Sequence, residues 1–252
     1  MSGSVFITGA SSGFGASSAR RFAKEGRPLI LVARRTEKLK ELEKALGGQS
    51  EVHILSLDIR DRHAVQTAVG NLPESFANIE ILLNNAGVGL GAAKVQEGNL
   101  DDWDVMIDTN VKGLLYCTRA ILPGMIARDK GHIINIGSIA GSWPYPEGNI
   151  YAATKAFVNH FSRLLKADLY GTGIRVTNIE PGLAETEFAK VRYKGDEAKA
   201  AEFYGNILGP LAPEDIAETI YWVASMPQHV NVTSVEVMPT AQNWGGFRMR
   251  KE

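Results

Sequence analysis

A single cysteine, Cys117, stands in a chain of 252 residues. That excludes a disulfide framework within the chain and leads us to expect a reducing, cytoplasmic setting. No apolar run approaches the roughly 18 residues that a membrane-spanning helix requires. The opening stretch MSGSVFITGA has no basic flank and runs at once into a strand pattern, so no signal peptide is expected. Neither sign of charge dominates: 27 Lys and Arg against 28 Asp and Glu leave a formal net charge of -1. Such a balance gives no support for a nucleic-acid or membrane-surface partner. The five histidines are scattered without metal-ligand spacing, and no metal site is expected. Asn231-Val-Thr matches a glycosylation triplet, which in a cytosolic chain is chance.

What is present is apolar and rhythmic. Hydrophobic residues make up 44% of the chain, ample for a large buried core. Short β-branched runs at 4–8, 28–33, 51–57, 79–85, 132–138, 174–180 and 234–238 alternate with helical patterns at about 13–26, 36–46, 61–71, 101–128, 150–170 and 213–226. The strand runs are continuously apolar, as expected where helices cover both faces of a sheet. The alternation predicts one α/β domain over 1–252, a doubly wound, Rossmann-like parallel sheet of seven strands flanked by helices. Two segments break the rhythm. Residues 186–212 follow the sixth strand and are too long for a plain connection, which suggests a lid-like substrate segment. The tail 241–252 keeps Trp244 and Phe247 beyond the last strand. It is either a frayed end or an arm that packs on a neighbouring subunit.

The stretch Thr8-Gly9-Ala10-Ser11-Ser12-Gly13-Phe14-Gly15 joins the first strand to the first helix. Its glycines allow a tight turn and close backbone approach to a pyrophosphate, which would then face the free N–H groups and positive dipole end of the helix. The spacing is GxxxGxG, not the commoner GxGxxG. The second strand ends LVARR, with Arg34 and Arg35 where an NAD-specific site usually carries an acid. Two guanidiniums suit a 2′-phosphate, so NADP is expected over NAD. Asp58, after the third strand, either accepts a hydrogen bond from the adenine amine or caps a helix.

Tyr151 and Lys155 stand four apart, on one face of a predicted helix. A free tyrosine has a pKa of about 10, some three units above what a base at neutral pH requires. A cation about 4 Å away at an effective dielectric near 20 is worth roughly 4 kcal/mol, or about three units. Lys155, helped by a cationic nicotinamide, is therefore expected to make the phenol a usable acid/base.

TGASSGFG (8–15), NNAG (84–87), Asn110, Ser138, Tyr151-x-x-x-Lys155 and Pro181-Gly182 resemble the short-chain dehydrogenase/reductase superfamily in order and spacing. MIDTNVKGL (106–114), LPGMIAR (122–128), GHIINIGSIAGSWPY (131–145) and VRYKGD (191–196) further resemble its NADP-dependent 3-hydroxy acid dehydrogenases, serine and allo-threonine dehydrogenases among them, and the similar sulfoacetaldehyde reductases. The resemblance implies an NADP-dependent oxidoreductase, a homotetramer built partly through the two long helices, and roles for particular residues. Ser138 would hold the substrate oxygen, Tyr151 exchange the proton, Asn110 order a water leading to Lys155, and Lys155 also bind the nicotinamide ribose. Gly9, Ser11, Ser12, Gly13, Phe14, Gly15, Ile59, Asn85, Pro181, Gly182 and Thr186 would contact cofactor; the small residues of NNAG have packing as their alternative.

A small 3-hydroxy acid such as serine, allo-threonine or 3-hydroxypropionate needs a cation for its carboxylate. Arg192 and Lys194 are the candidates, unless they are surface charges, and Tyr145 would shape the pocket with Trp143 and Tyr193. Arg248 or Arg250 of the tail is a further possible anion contact. GLAETEF (182–188) is one residue shorter than the hydroxy-acid branch implies, which keeps an aldehyde sulfonate open as substrate. A non-catalytic NADPH sensor is the rival of another class, but sensors of this kind usually lack the tyrosine or lysine that this chain retains.

Overall fold

The computed structural model describes residues 3–205 and 208–243; Trp244, Phe247, Arg248 and Arg250 lie outside them. Seven strands, all parallel, form one sheet: β1 (Ser4–Thr8), β2 (Leu29–Ala33), β3 (Val52–Ser56), β4 (Ile79–Asn84), β5 (Gly131–Ile136), β6 (Ile174–Pro181) and β7 (Ser234–Val237). Their order across the sheet is β3-β2-β1-β4-β5-β6-β7. The chain winds outward from β1 in one direction, returns, and winds outward from β4 in the other. The β1/β4 junction is thus the topological switch point, where loops leave in opposite directions and open a crevice at the strands' carboxyl ends.

The strands are continuous apolar runs because alternate residues feed two different cores. Val5, Ile7, Leu29, Leu31, Leu83 and Ile134 pack on one face, against α1 (Gly13–Ala23), α2 (Thr36–Leu46) and α10 (Pro213–Ser225). Phe6, Ile30, Val32, Leu82 and Ile133 pack on the other, with residues of α3 (Arg62–Gly70), α6 (Leu114–Ala127) and α7 (Asn149–Asp168). The period-2 pleat divides each run between the two sides.

Three features depart from the expected elements. A short α4 (Glu74–Ala77) precedes β4, carried by Phe76, which is buried. The helix expected over 101–128 is interrupted: α5 (Leu100–Ile107) passes through a π-helical turn, Asp108–Gly113, into α6. A π turn adds a residue to the helical ladder, and such turns are frequent at functional sites. Asn110 lies within it, buried, its amide bonded in both directions to the backbone of Val88. The 186–212 segment holds two short helices, α8 (Phe188–Arg192) and α9 (Glu197–Tyr204). Leu183 and Glu185 exchange backbone hydrogen bonds with Leu211, so the segment is pinched at its base.

No helix among the described residues is long and apolar enough to cross a membrane. Phe6 lies fully buried in the central strand. Phe6→Ala should cost about 3–5 kcal/mol, read as a lower denaturation midpoint with unchanged m-value; a loss under about 1 kcal/mol would contradict this packing.

Candidate active site

The turn after β1 takes its shape from two close approaches. Gly9 has a φ of +66°, and a Cβ there would lie 2.9 Å from the Cα of Ala86. A Cβ on Gly15 would lie 2.5 Å from the carbonyl oxygen of Gly9. Asn85 ties the two loops together, its Nδ2 donating to the carbonyl of Thr8 at 2.9 Å, while the amides of Asn85 and Ala86 donate to Thr8 Oγ1, each at 3.0 Å. Gly13 has a φ of +52° and leaves room beside it, with Thr186 3.7 Å from its would-be Cβ. The amino end of α1 thus presents open N–H groups to a cavity, an anion-binding arrangement.

That cavity has a volume of about 760 Å³. It runs from the glycine turn along the switch-point crevice to the end of β5 and beneath α8. Every expected site residue among the described ones lines it except Gly15, Asn110, Tyr193 and Lys194; Tyr193 packs behind it, its ring 6.1 Å from that of Phe203. Gly15 lies beneath the turn, Asn110 lies behind the wall, and Lys194 is turned outward. Lys194 is a correction to the sequence reading: a φ of +53° ends α8 there and sends its ammonium to Asp102, at 2.8 Å.

At the nucleotide end the two arginines differ. Arg34 is exposed and has no hydrogen bond or ion pair among the described residues. The guanidinium of Arg35 donates to Ser11 at 3.0 Å, Ser12 at 2.8 Å and the Glu187 carboxylate at 2.9 Å. Burial pushes the Glu187 carboxyl up, but hydrogen bonds from Arg35 and Ser12 prevail and hold it below the usual range. Asp58 does not cap a helix; Asp61 caps α3 by accepting from Ala64. The Asp58 carboxylate is held at 2.6 Å by Arg60, and that hydrogen bond, against the opposing burial, lowers its pKa.

At the other end, Tyr151 and Lys155 share one face of α7. The Lys155 side chain is buried; its Nζ donates to the carbonyl of Ile136, the last residue of β5, at 2.8 Å. It also sits 5.9 Å from the centroid of the Tyr151 ring. Burial pushes the lysine down to about 8. Burial likewise pushes the phenol up to about 12, with Ser138 and Arg192 lowering it and Tyr145 raising it. With the protein's own groups alone, loss of water around the phenolate outweighs the hydrogen bond from Ser138 and the charge of Arg192; the expectation of a usable acid/base concerns the site with a cationic nicotinamide bound.

Gly87 supplies the space between Lys155 and Asn110. A Cβ there would sit 3.4 Å from both Lys155 Nζ and Asn110 Oδ1, so the bare backbone leaves a slot flanked by both groups. Asn110 Nδ2 donates to Thr154 Oγ1 at 3.0 Å, which ties the π turn to α7 between the tyrosine and the lysine.

Sequence reasoning missed Phe188. Its ring packs 5.4 Å from that of Tyr151, and Gly89 lies so close beneath it that a Cβ would come within 2.6 Å of Cζ. A lone phenylalanine in an amphipathic helix carries no signal that separates a pocket wall from a core residue. Arg192, four residues on, is buried, its carbonyl accepting from Gly91 at 3.0 Å. Its Nη1 stands 3.5 Å from the Tyr145 hydroxyl, its guanidinium carbon lies 5.8 Å from the Phe203 ring centroid, and Nε has no partner among the described residues. A buried cation without a carboxylate is costly, and an anion entering the cavity would relieve it.

The sheet order and the glycine turn at the switch point define a Rossmann-like fold. The short chain dehydrogenase family model matches residues 4–197, and the chain belongs to that family. It is 49% identical over 249 residues to an NADP-dependent 3-hydroxy acid dehydrogenase of Escherichia coli strain K12, covering 98% of this chain and 99% of that protein. It is likewise 49% identical over 253 residues to sulfoacetaldehyde reductase 2 of Chromohalobacter salexigens, covering the whole of both. Among solved structures, the closed form of a serine dehydrogenase complexed with NADP+ superimposes with a TM-score of 0.94 at 49% identity, covering 98% of this chain and 99% of that one.

The lysine pKa makes a stability prediction. An unfolded lysine near 10.4 binds more protons than a folded one at about 8, so stability rises with pH between those values and the buried charge destabilises below them. Without added nucleotide, the parent protein should gain on Lys155→Met by about 1–3 kcal/mol as pH rises from 7.5 to 9.5. Parallel unfolding curves at both pH values would contradict the assigned burial.

Proposed function

We propose that this chain is an NADP-dependent oxidoreductase acting on a small anionic 3-hydroxy acid such as serine, allo-threonine or 3-hydroxypropionate. The observation that carries this reading is the pairing of Tyr151 with Arg192 in one cavity: an acid/base group and, across from it, a buried cation lacking an anionic partner. A 3-hydroxy acid carries both an alcohol for the one and a carboxylate for the other.

The residues present fit the cofactor. A Cβ at Gly9 or Gly15 would collide with the walls of the turn that a pyrophosphate must approach. Arg34 is open to a 2′-phosphate, and Arg35 stands beside it on the serines of the turn. NADP when bound supplies a hydride acceptor, or as NADPH a donor, at nicotinamide C4. In oxidation, the carbinol carbon loses its hydrogen as hydride and the hydroxyl loses its proton to Tyr151. Ser138 holds the substrate oxygen, and Arg192 holds the carboxylate with Tyr145 beside it. Lys155 stabilises the phenolate electrostatically, all the more beside a cationic nicotinamide, and binds the ribose. The slot over Gly87 accommodates a water through which Asn110 and Lys155 pass the proton toward solvent.

A second reading has the same machinery reducing sulfoacetaldehyde to isethionate, with Arg192 meeting a sulfonate. It is favoured by the full-length 49% identity to sulfoacetaldehyde reductase 2. We further propose a cytoplasmic protein, in keeping with its one buried thiol. Its assembly would be a homotetramer, supported by Ile126 and Leu164 exposed on the two long helices.

A spectrophotometric panel of hydroxy acids and hydroxysulfonates, each with NADP and NAD, tests the reading. NADP-dependent turnover of a 3-hydroxy acid is expected. Tyr151→Phe should abolish it, by about 10³-fold or more, while leaving NADPH binding intact. Arg192→Met should raise the KM for the anionic substrate by about ten- to a hundred-fold. Turnover of isethionate alone would install the second reading, and equal turnover by Tyr151→Phe would remove both. Sedimentation velocity should give one species of four chains; monomers alone at working concentration would overturn the assembly.

A further inference from the structure

Glu180 is the last residue before Pro181-Gly182 on β6, and the residue is 2% exposed. No ion pair reaches it among the described residues, yet three neutral donors converge on it. Ser142 Oγ donates to one carboxylate oxygen at 2.6 Å; Asn178 Nδ2 and Ser234 Oγ donate to the other, each at 2.9 Å. Burying a carboxylate is expensive, and an amide or hydroxyl would cost less. The two oxygens of this one side chain join the segment of Ser142 to β6 and β7.

One of those donors belongs to the segment that follows Ser138. After a 3₁₀ turn at Ile139–Gly141, Ser142 and Trp143 are consecutive, and each is fastened to a glutamate. Ser142 bonds Glu180 on β6, and the Trp143 indole Nε1 donates to Glu236 on β7 at 2.9 Å. The two glutamates are register partners on adjacent strands. From the other side, Asn159 Nδ2 of α7 donates to Ser142 Oγ at 3.0 Å, one helical turn beyond Lys155. Gly141 lies so close to α7 that a Cβ would be 2.6 Å from the backbone carbon of Lys155. The segment 139–145 is therefore a strap drawn across the end of the sheet onto the helix that carries Tyr151. It leads to Tyr145, whose hydroxyl faces Arg192.

We propose that Glu180 is a positioning residue: through Ser142 it fixes the strap, and through the strap it places Tyr145 against Arg192, which sets affinity for the anionic end of the substrate. This rests on the substrate reading above for its kinetic consequence, but not for its structural one. Glu180 does not itself line the cavity, whereas Pro181 and Gly182 after it do, so the NADPH Kd separates an effect through the strap from one through that turn.

Ser142→Ala and Glu180→Ala, alone and together, test it, with Glu180→Gln as the conservative variant. Ser142→Ala removes one hydroxyl near the surface and keeps the test open should Glu180→Ala fail to fold. The expected result is a KM for the hydroxy acid raised about ten-fold in both single variants. kcat and the NADPH Kd should stay within about two-fold. The double variant should be no worse than the worse single one, because both break the same contact. Glu180→Gln keeps an acceptor for Asn178 and Ser234 and should fall in between. Amide hydrogen exchange across 139–147 should speed up in Ser142→Ala, with no substrate present. Unchanged exchange in that variant overturns the proposal, as does a NADPH Kd that weakens in step with KM. Should the parent turn over no hydroxy acid, the substrate reading fails, and exchange still decides the strap.

Discussion

The site depends on burying an amine and a phenol on the same helix face, next to the end of a parallel strand. Lys155 is desolvated, and its one hydrogen bond among the described residues is to the carbonyl of Ile136, where β5 runs out. Its neighbours accommodate that choice. Gly87 has no side chain to fill the space beside the amine, Gly141 lets the strap lie against the lysine's backbone, and the π turn lets Asn110 and Thr154 close the far side. A desolvated ammonium is destabilising in itself. It persists because the two cores on either side of the sheet supply the stability that the site gives up.

The cavity carries arginines at both ends, with the Tyr151, Lys155 and Ser138 cluster between them. Arg34 and Arg35 stand by the glycine turn and Arg192 beneath the lid, while Phe188 and Phe203 line the stretch beside Arg192. Such a layout selects a molecule with an anion at each extremity, which describes a phosphorylated dinucleotide laid end to end with an acidic substrate. The 186–212 segment touches both ends. Thr186 and Glu187 lie beside the turn, the latter gripping Arg35, and Arg192 lines the far end five residues later. On the proposed reading, one segment would thus link cofactor and substrate binding.

Most of the fold was legible from the chain. Each of the seven strands falls within two residues of its expected ends, because a buried parallel strand leaves a continuous apolar run. The site's backbone was legible too, since its glycines, its Tyr–Lys spacing and its paired arginines each follow from a local rule. Other features were not. The π turn in 108–113 leaves no mark on hydrophobic periodicity, as one extra residue barely shifts the apolar stripe. Lys194 and Arg192, two apart and alike in charge, point to opposite sides because one closes a short helix with a left-handed residue. Glu180 reads as an ordinary polar residue in a strand, and only register and three converging donors reveal its part. The tyrosine's pKa in the protein alone was not legible, because spacing reports the nearby cation but not the loss of water around both groups.

That last point leads to the decisive measurement. The account holds that the protein alone keeps the phenol near 12 and that Lys155, beside a bound cationic nicotinamide, brings it into the working range. Ultraviolet difference titration of the complex with NADP+, using Tyr151→Phe as the blank, reads this ionisation directly. One phenol titrating near neutral pH, absent from the blank and shifted back upward without the nucleotide, is the predicted result. A phenol that stays above pH 10 in the complex while the enzyme turns over normally would contradict the account.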